Sequence, residues 1–209
     1  MSKQSIKIFT DYKSPYAYLA KDLVYELADE TGVDVDWLPY TLDIPAYLGS
    51  AELDASGGVL SEQRNAHQWR RVKYSYMDCR REANRRGLTI RGTRKIWNSL
   101  LANIGMLYAK QNGGFRAYHD AVFERFWRRD LDIENATVIS AVLREAGVDS
   151  AGFEAFASGD GRRLLVDIQH EAERAGVFGV PSILIDGGDL YWGREHLPRI
   201  RDILLERSA

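Results

Sequence analysis

A serine hydroxyl stands at the predicted start of a helix in residues 11–18, whose sequence is D-Y-K-S-P-Y-A-Y. Ser14 is a favourable N-cap and Pro15 a favourable first helical residue. The first turn of a helix offers free N–H groups and the positive end of the helix dipole. A hydroxyl beside it therefore favours a bound anion, such as a thiolate. Ser14 is a candidate catalytic residue; the alternative is that it serves only as the N-cap.

A proline stands directly before a predicted strand near the other end of the chain. The sequence G-V-F-G-V-P-S-I-L-I-D covers residues 176–186. The proline suggests a special turn, but only ~5–6% of X-Pro bonds are cis, so the motif alone leaves the isomer of the Val180–Pro181 bond open. A cis bond would expose the backbone N–H and C=O of Val180 at the sheet edge. An extended peptide could pair there as an additional strand.

Other residue types give weaker signals. No two of the four histidines are spaced as metal ligands on one helix face, so we predict no metal site. We expect His119 and His170 to cap helices or to face solvent. The motifs of serine hydrolases and of P-loop proteins are absent from the sequence. The five tryptophans are expected mainly in the core, while Trp97 and Tyr12 are candidates for the walls of a substrate pocket.

The composition is that of a globular protein, with 209 residues, 45% hydrophobic and 28% charged. This length fits one large domain, or a smaller one with an insertion. Because Cys79 is the only cysteine, an internal disulfide, a cysteine zinc cluster and a C-x-x-C redox centre are excluded. We expect Cys79 to be buried and structural. With no signal-like segment and no apolar run of ~20 residues, we expect a cytoplasmic protein with no membrane partner.

Positive charge is concentrated in one part of the chain. The segment 64–95, called the basic segment below, has 11 Lys and Arg but only two acids, although the whole chain has a net charge of -2. Its aromatic residues would also suit a nucleic acid. The other interpretations are a solvated helix face and a basic wall that attracts small carboxylate ligands. We favour the solvated face and predict no nucleic-acid partner.

The two ends of the chain predict the halves of one sheet. Residues 5–10 and 33–38 read as strands on either side of a helix over 15–30, which makes a β-α-β unit. Residues 182–206 read as two short strands and a closing helix. Between these halves, residues 43–175 look helical throughout.

This order of elements predicts an α/β protein of thioredoxin-like fold, with a four-stranded mixed sheet and a large all-helical insertion. The predicted domains are 1–42 with 160–209, and the insertion 43–159. In such a fold the first strand-to-helix turn holds the redox C-x-x-C, but here Ser14 and Ala17 take the two cysteine positions. Since disulfide exchange needs a thiolate, a disulfide oxidoreductase is excluded.

The motifs at both ends also carry a family resemblance. The stretches D-Y-K-S-P-Y-A-Y-L-A, G-V-F-G-V-P-S-I-L-I-D-G and Y-W-G-R-E-H-L resemble the family of 2-hydroxychromene-2-carboxylate isomerases. These enzymes are close relatives of kappa-class glutathione transferases within the DsbA-like thioredoxin fold. The similarity extends over essentially the whole chain, and it implies glutathione as the cofactor.

The resemblance assigns roles to individual residues. Ser14 falls on the catalytic serine, which stabilises the glutathione thiolate. Val180 falls on the residue before the cis-proline, here Pro181, whose backbone binds the cysteinyl part of glutathione. Lys73, three residues before Tyr76, falls on the lysine of a K-x-x-Y pattern that contacts glutathione.

The γ-glutamyl end of glutathione has a further implied contact. Arg194 and Glu195 stand where the kappa pattern has Ser-Asp. The glutamate keeps the acid that pairs with the α-ammonium group, whereas the arginine departs from the pattern. Asp78 is not transferred, because its spacing from the K-x-x-Y tyrosine differs from that of the family.

The implied activity is a glutathione-dependent isomerisation. The thiolate would add to a conjugated aromatic electrophile, permit rotation about the former double bond, and leave again. A kappa-like glutathione transferase would stop after addition and would need the same Ser14. A third alternative is a non-catalytic, thioredoxin-like peptide binder that uses the Val180 edge. Because relatives are commonly dimers, the resemblance also implies a homodimer.

Overall fold

The computed structural model describes residues 4–186 and 188–208. In chain order the elements are β1 (Ser5–Thr10), α1 (Pro15–Thr31), β2 (Asp34–Pro39), α2 (Ile44–Leu48), β3 (Ala51–Leu53), β4 (Val59–Glu62), α3 (Ala66–Arg85), α4 (Leu100–Gln111), α5 (Phe115–Trp127), α6 (Ala136–Glu145), α7 (Phe153–Ser158), α8 (Asp160–Arg174), β5 (Ser182–Ile185), β6 (Leu190–Trp192) and α9 (Leu197–Ser208). Within the described residues, no helix is long and apolar enough to cross a membrane.

A mixed sheet joins the two ends of the chain, with strand order β2-β1-β5-β6. Strand β1 is parallel to β2, with Ile8 opposite Trp37, and antiparallel to β5, with Ile8 opposite Ile183. Strand β6 pairs antiparallel with β5 at the edge. Because β1 lies between neighbours that are far apart in sequence, the sheet forms only when both ends meet. The predicted thioredoxin-like fold with a helical insertion is confirmed.

Helix α1 has capping groups at both ends. The Ser14 side chain accepts a hydrogen bond from the Ala17 N–H, and Pro15 follows at the first helical position. At the other end, Gly32 adopts a left-handed conformation with φ 71°, and its N–H donates to the Ala28 carbonyl. Glycine takes this conformation without the steric cost that a side chain would add. The ends of α1 therefore follow from local chemistry.

The expectation of continuous helix over 43–175 is wrong at the hairpin β3–β4. The sequence D-A-S-G-G of residues 54–58 forms its turn, in which the Asp54 carboxylate accepts N–H groups from Ser56 and Gly58. Local side-chain bonds of this kind compete with helix, and glycine adds conformational freedom. Helix α3 begins after Asn65, which forms a capping box with Gln68. The predicted division at residues 42 and 159 stays a prediction.

The sheet separates two buried clusters. Ile183 and Ile185 belong to one, while Leu184 packs against the other, as alternate residues of a strand must. Cys79 is fully buried, as expected, and burial raises the pKa of its thiol to about 12. A thiol that stays protonated at neutral pH is a poor nucleophile, which agrees with a structural role for Cys79.

His119 is buried, which corrects the expectation that it caps a helix or faces solvent. Its Nδ1 lies 2.9 Å from the Tyr12 hydroxyl, and both residues are 0% exposed. The rings of Phe115, Trp37 and Phe123 lie within 5 Å of the His119 ring, measured between centroids. The core accommodates His119 because its Nδ1 is hydrogen-bonded and its ring packs among aromatic side chains. His170 is exposed, as expected.

Burial of His119 predicts a loss of stability in acid. Desolvation, with the charge of Lys21, places the pKa of His119 well below its usual value. In the unfolded chain His119 takes up a proton near pH ~6.5. The contribution of the neutral histidine to the free energy of unfolding is therefore fully present above that pH and falls by about 1.4 kcal/mol per pH unit below it. Urea unfolding between pH 7 and 5 measures the slope. A double variant, His119→Phe with Tyr12→Phe, should have a shallower slope; an equal slope would contradict the assignment.

Close packing of α4 predicts the effect of a single methyl group. A Cβ at Gly105 would overlap the Tyr118 hydroxyl and lie 3.0 Å from an Ile139 methyl carbon. Gly105→Ala gains about 1 kcal/mol of helix propensity but overpacks the core at a cost of about 1–3 kcal/mol. We expect a net loss of stability, measured by denaturant unfolding. Tyr118→Phe removes the overlapping oxygen, so Gly105→Ala should cost less in that background.

Candidate functional site

A cleft of about 870 Å³ lies where the predicted site residues were expected to meet. Its floor is the start of α1 together with the residues before β5. One wall comes from α2 and α3, a second from residues 93–97, and a third from the corner between β6 and α9. The two ends of the chain therefore supply the floor, and the helical part supplies most of the walls.

Ser14 and Val180 meet on the floor of the cleft. Ser14 is 4% exposed, and its Oγ donates to the Val180 carbonyl oxygen at 3.5 Å, which is long for such a bond. The Val180–Pro181 bond is cis, as the family resemblance implies. Within the part of the chain that the structure describes, no group accepts a hydrogen bond from the Val180 N–H. A ligand thus finds a weakly held hydroxyl proton and a free backbone donor side by side.

A buried carboxylate fixes the turn that presents Ser14. The Ser14 N–H donates to the Asp11 carbonyl at 2.9 Å, and the Asp11 carboxylate accepts the Leu42 N–H at 2.8 Å. Lys13 Nζ lies 3.7 Å from the same carboxylate. Burial raises the pKa of Asp11, while the charge of Lys13 opposes that shift. Sequence reasoning missed the role of Asp11, which depends on a contact with residue 42.

A tyrosine, an acid and an arginine lie together on the side of the cleft toward α3. The Tyr16 hydroxyl donates to Asp78 Oδ2 at 3.4 Å, and the Arg194 guanidinium lies 5.7 Å from the Tyr16 ring centroid. Burial raises the pKa of Tyr16 to about 12, so its hydroxyl stays protonated at neutral pH. Asp78 therefore lines the cleft, although its spacing had kept it out of the predicted site.

Arg194 and Glu195 line the cleft at the corner after β6. Gly193 has φ 108°, and a Cβ there would overlap the Glu195 carboxylate, so glycine allows the chain to turn at this point. The Gly193 N–H donates to the Pro181 carbonyl at 2.9 Å, which ties the corner to the cis bond. Among the described residues, none forms a hydrogen bond or ion pair with the Glu195 carboxylate.

The structure does not bring Lys73 to this cleft. Lys73 is exposed, and it lines a smaller adjoining cavity, with its Nζ 6.0 Å from the Trp69 ring centroid. Arg71, Ser75 and Asp78 face the cleft instead. Their spacing of four and three residues puts them on one face of α3. That periodicity could have identified Arg71 once the register of α3 was known.

Aromatic side chains form much of the cleft wall. Trp97 lines the cleft, as the sequence suggested, whereas Tyr12 is fully buried and does not. Trp192 is 51% exposed rather than buried in the core, because it lies on the short edge strand β6. Its ring packs beside that of Phe178, with centroids 5.1 Å apart, at the mouth of the cleft. This exposed pair corrects the expectation of a core tryptophan.

Positive charge exceeds negative charge around the cleft. The acids in its lining are Asp78 and Glu195. The cations in its lining are Lys13, Arg64, Arg71, Lys95 and Arg194. Three of these five belong to the basic segment, so part of that segment forms a wall of the cleft. Such a lining favours ligands with negative charge.

Comparisons with known proteins agree with this architecture. The sequence matches the DSBA-like thioredoxin domain family over residues 5–205. A curated relative, the 2-hydroxychromene-2-carboxylate isomerase of Pseudomonas putida, is 27% identical over 195 residues, which cover 92% of this chain and 90% of the relative. A solved structure of a 2-hydroxychromene-2-carboxylate isomerase gives a TM-score of 0.74 at 22% identity, covering 98% of this chain and 96% of the other.

A second solved structure is the cytosolic disulfide reductase DsbM of Pseudomonas aeruginosa with GSH. It gives a TM-score of 0.64 at 16% identity and covers 98% of both chains. At these identities the two structures show a shared fold, and the resemblance read from the sequence is confirmed by the relatives. The family match spans nearly the whole chain, including the Ser14 turn and the cis-proline. This protein therefore belongs to the DSBA-like thioredoxin domain family, with serine and alanine where a C-x-x-C would stand.

Proposed function

We propose that this protein is a glutathione-dependent isomerase that resembles 2-hydroxychromene-2-carboxylate isomerase. The observation that carries the proposal is the meeting of Ser14 with Val180. Their side-chain and carbonyl oxygens lie 3.5 Å apart at a helix N-terminus, inside a cleft of about 870 Å³. Relatives named as isomerases support an enzyme of this kind. A relative in fold, the disulfide reductase DsbM, has been solved with GSH.

The floor of the cleft suits a thiolate. A free thiol has a pKa of ~8.5, and lowering it to ~6.5 requires about 2.7 kcal/mol. A hydroxyl bond to an anion contributes ~1.5–3 kcal/mol, and a helix N-terminus ~0.3–1 kcal/mol. Ser14 and the first turn of α1 can together supply that difference. The free N–H and the carbonyl of Val180 would pair with the cysteinyl backbone of glutathione.

The charged ends of glutathione would lie near side chains of opposite charge in the cleft. Its α-ammonium would pair with Glu195, whose carboxylate has no other partner in the described part of the chain. Its carboxylates would lie near Arg194 and Arg71, which both line the cleft. In this proposal Arg71 takes the contact that the resemblance had assigned to Lys73, because Lys73 points into the adjoining cavity.

The reaction needs only a reversible addition. The sulfur forms a bond to the β-carbon of a conjugated carbonyl compound, and the π electrons move to the carbonyl oxygen. Rotation about the resulting single bond follows. The electrons then return, the C–S bond breaks, and the thiolate is regenerated. The aromatic residues Trp97, Tyr47 and Tyr76 line the cleft and would pack against an aromatic substrate.

Two alternatives keep specific support. A glutathione transferase would use the same floor but release the thioether. A peptide binder would use the free Val180 N–H and the exposed pair of Phe178 and Trp192 at the mouth of the cleft. Ser14 at the helix start favours chemistry over binding alone. A cytoplasmic homodimer remains part of the proposal.

An assay with and without glutathione tests the proposal. The purified protein is given a panel of aromatic enones and aromatic pyruvates, and isomerisation is followed by absorbance and chromatography. We expect turnover only with glutathione, and none with S-methylglutathione, which lacks the thiol. A stable thioether product would favour the transferase. Equal turnover without glutathione would contradict the proposal, and binding of extended peptides without any turnover would favour the peptide binder.

A further inference from the structure

A second cavity of about 280 Å³ adjoins the cleft and is called the side cavity here. It lies between α3, strand β3 and residues 92–96, with Arg129 at its far side. Tyr76, Thr93 and Ile96 line both spaces, so a ligand in the side cavity can extend into the cleft. No residue of the proposed glutathione site is needed to form it.

Among the residues that the structure describes, the lining of the side cavity contains six cations and no acid. The six cations are Arg64, Lys73, Arg80, Arg94, Lys95 and Arg129. Lys95 is paired with Glu134 at 2.5 Å. A nearby acid, Glu62, accepts a hydrogen bond from Trp69 Nε1 at 2.6 Å and does not line the cavity. Within the described residues, the other five cations form no ion pair. They donate to backbone carbonyls or pack on rings, which leaves their charge uncompensated.

Two guanidinium groups converge on Gly92. Arg129 donates from Nε to the Gly92 carbonyl at 2.7 Å, and a Cβ at Gly92 would lie 3.1 Å from Arg80 Nη2. Arg129 has φ 64° because it is the left-handed residue that ends α5, where the Arg129 N–H donates to the Phe126 carbonyl and the Asp130 N–H donates to the Arg125 carbonyl. Burial and the nearby charges of Arg94, Arg91 and Arg80 lower the pKa of Arg129. A bound anion would relieve this repulsion between like charges.

We propose that the side cavity binds a phosphate group, carried by a small molecule whose other end enters the cleft. Four guanidiniums and an ammonium suit a group with two negative charges and several acceptor oxygens better than a single carboxylate. The shared aromatic wall at Tyr76 suits an aromatic or other flat body attached to the phosphate. The proposal does not depend on glutathione chemistry.

Calorimetric titration with inorganic phosphate tests the site, at constant ionic strength and without glutathione. We expect saturable binding, with acetate at least tenfold weaker, because acetate has one charge. Phenyl phosphate should bind at least as tightly as inorganic phosphate. If it binds more weakly, the site takes free phosphate and the proposed attachment to a larger molecule is wrong. Binding no stronger than that of chloride would overturn the site itself.

The variant Arg80→Gln with Arg94→Gln is the main mutational test. In the described part of the chain, each of these side chains donates one long bond of 3.4 Å to a carbonyl, and Arg80 also lies over the Tyr76 ring, so the fold should tolerate both changes. We expect phosphate to bind at least tenfold more weakly. The control is Arg144→Gln with Arg174→Gln, which removes the same charge from exposed positions on α6 and α8. Equal weakening in both double variants would show non-specific attraction and overturn the proposal.

Two further measurements cover other outcomes. If the double variant fails to fold, Lys73→Gln replaces it, because Lys73 is exposed and its ammonium lies over the Trp69 ring; threefold weaker binding is expected, and unchanged binding would overturn the site. Saturating glutathione should leave the phosphate affinity within twofold. Full competition would assign the side cavity to glutathione and overturn its independence.

Discussion

Replacing Ser14 by alanine is expected to raise the pKa of the bound glutathione thiol by about one unit or more. Below both pKa values, each unit lowers the thiolate fraction about tenfold, so the rate at pH 6 should fall by about that factor. At pH values above the thiol pKa, much of the lost rate should return because the thiolate forms without help. Ultraviolet titration of the thiolate and the pH profile of turnover measure both effects.

The loss of a helix cap must be separated from the loss of the hydroxyl donor. Removing Ser14 should cost about 1 kcal/mol of stability, because its Oγ caps α1 through the Ala17 N–H. Asn135 caps α6 in the same way, and Asn135→Ala should cost about as much stability while leaving the thiol pKa unchanged. A Ser14→Ala protein with wild-type rate and an unshifted thiol pKa would contradict the thiolate mechanism and favour the peptide binder.

Glu195→Gln should weaken glutathione binding by about 1–3 kcal/mol, the range for losing one charged hydrogen-bond partner. The Glu195 carboxylate lies against Gly193 at the corner of the cleft and has no partner in the described residues that could replace the ligand. The amide keeps the shape of the side chain and removes only its charge. Calorimetry with glutathione gives the affinity directly.

The control for Glu195→Gln is a variant that removes one negative charge at another position. Glu171 is an exposed acid on α8 that does not belong to the cleft lining, and Glu171→Gln alters the net charge equally. We expect its glutathione affinity to match that of the wild type. If Glu195→Gln behaves in the same way, Glu195 does not contact glutathione, although the Ser14 mechanism would still stand.

The parts of the fold that local chemistry determines could be predicted from the sequence. Alternating apolar residues predict the strands at residues 5–10 and 34–39, and apolar residues four apart predict the helix between them. Ser14 was predicted to cap that helix and does so in the structure. The cis bond before Pro181 was implied by the family resemblance, whereas the proline motif alone left the isomer of that bond open. These signals lie within a few residues of one another.

The features that the sequence did not predict depend on contacts between residues that are distant in the chain. The burial of His119 depends on Tyr12 and on aromatics from β2 and α5, and no local pattern indicates it. Lys73 and Arg71 differ only in the face of α3 on which they lie, and that face is set by how the helix packs. The hairpin β3–β4 has a clear turn sequence, but its strands are too short and polar to show alternation.

The central position of β1 has a consequence for synthesis of the chain. Its partner β2 follows within about thirty residues, whereas β5 comes after the whole helical part. A nascent chain therefore carries Ser14 and most of the cleft walls long before Val180 leaves the ribosome. Until then β1 has an unpaired edge, which is a site for wrong pairing. The floor of the cleft forms last, so a fragment lacking β5 should regain glutathione binding only when the C-terminal piece is added in trans.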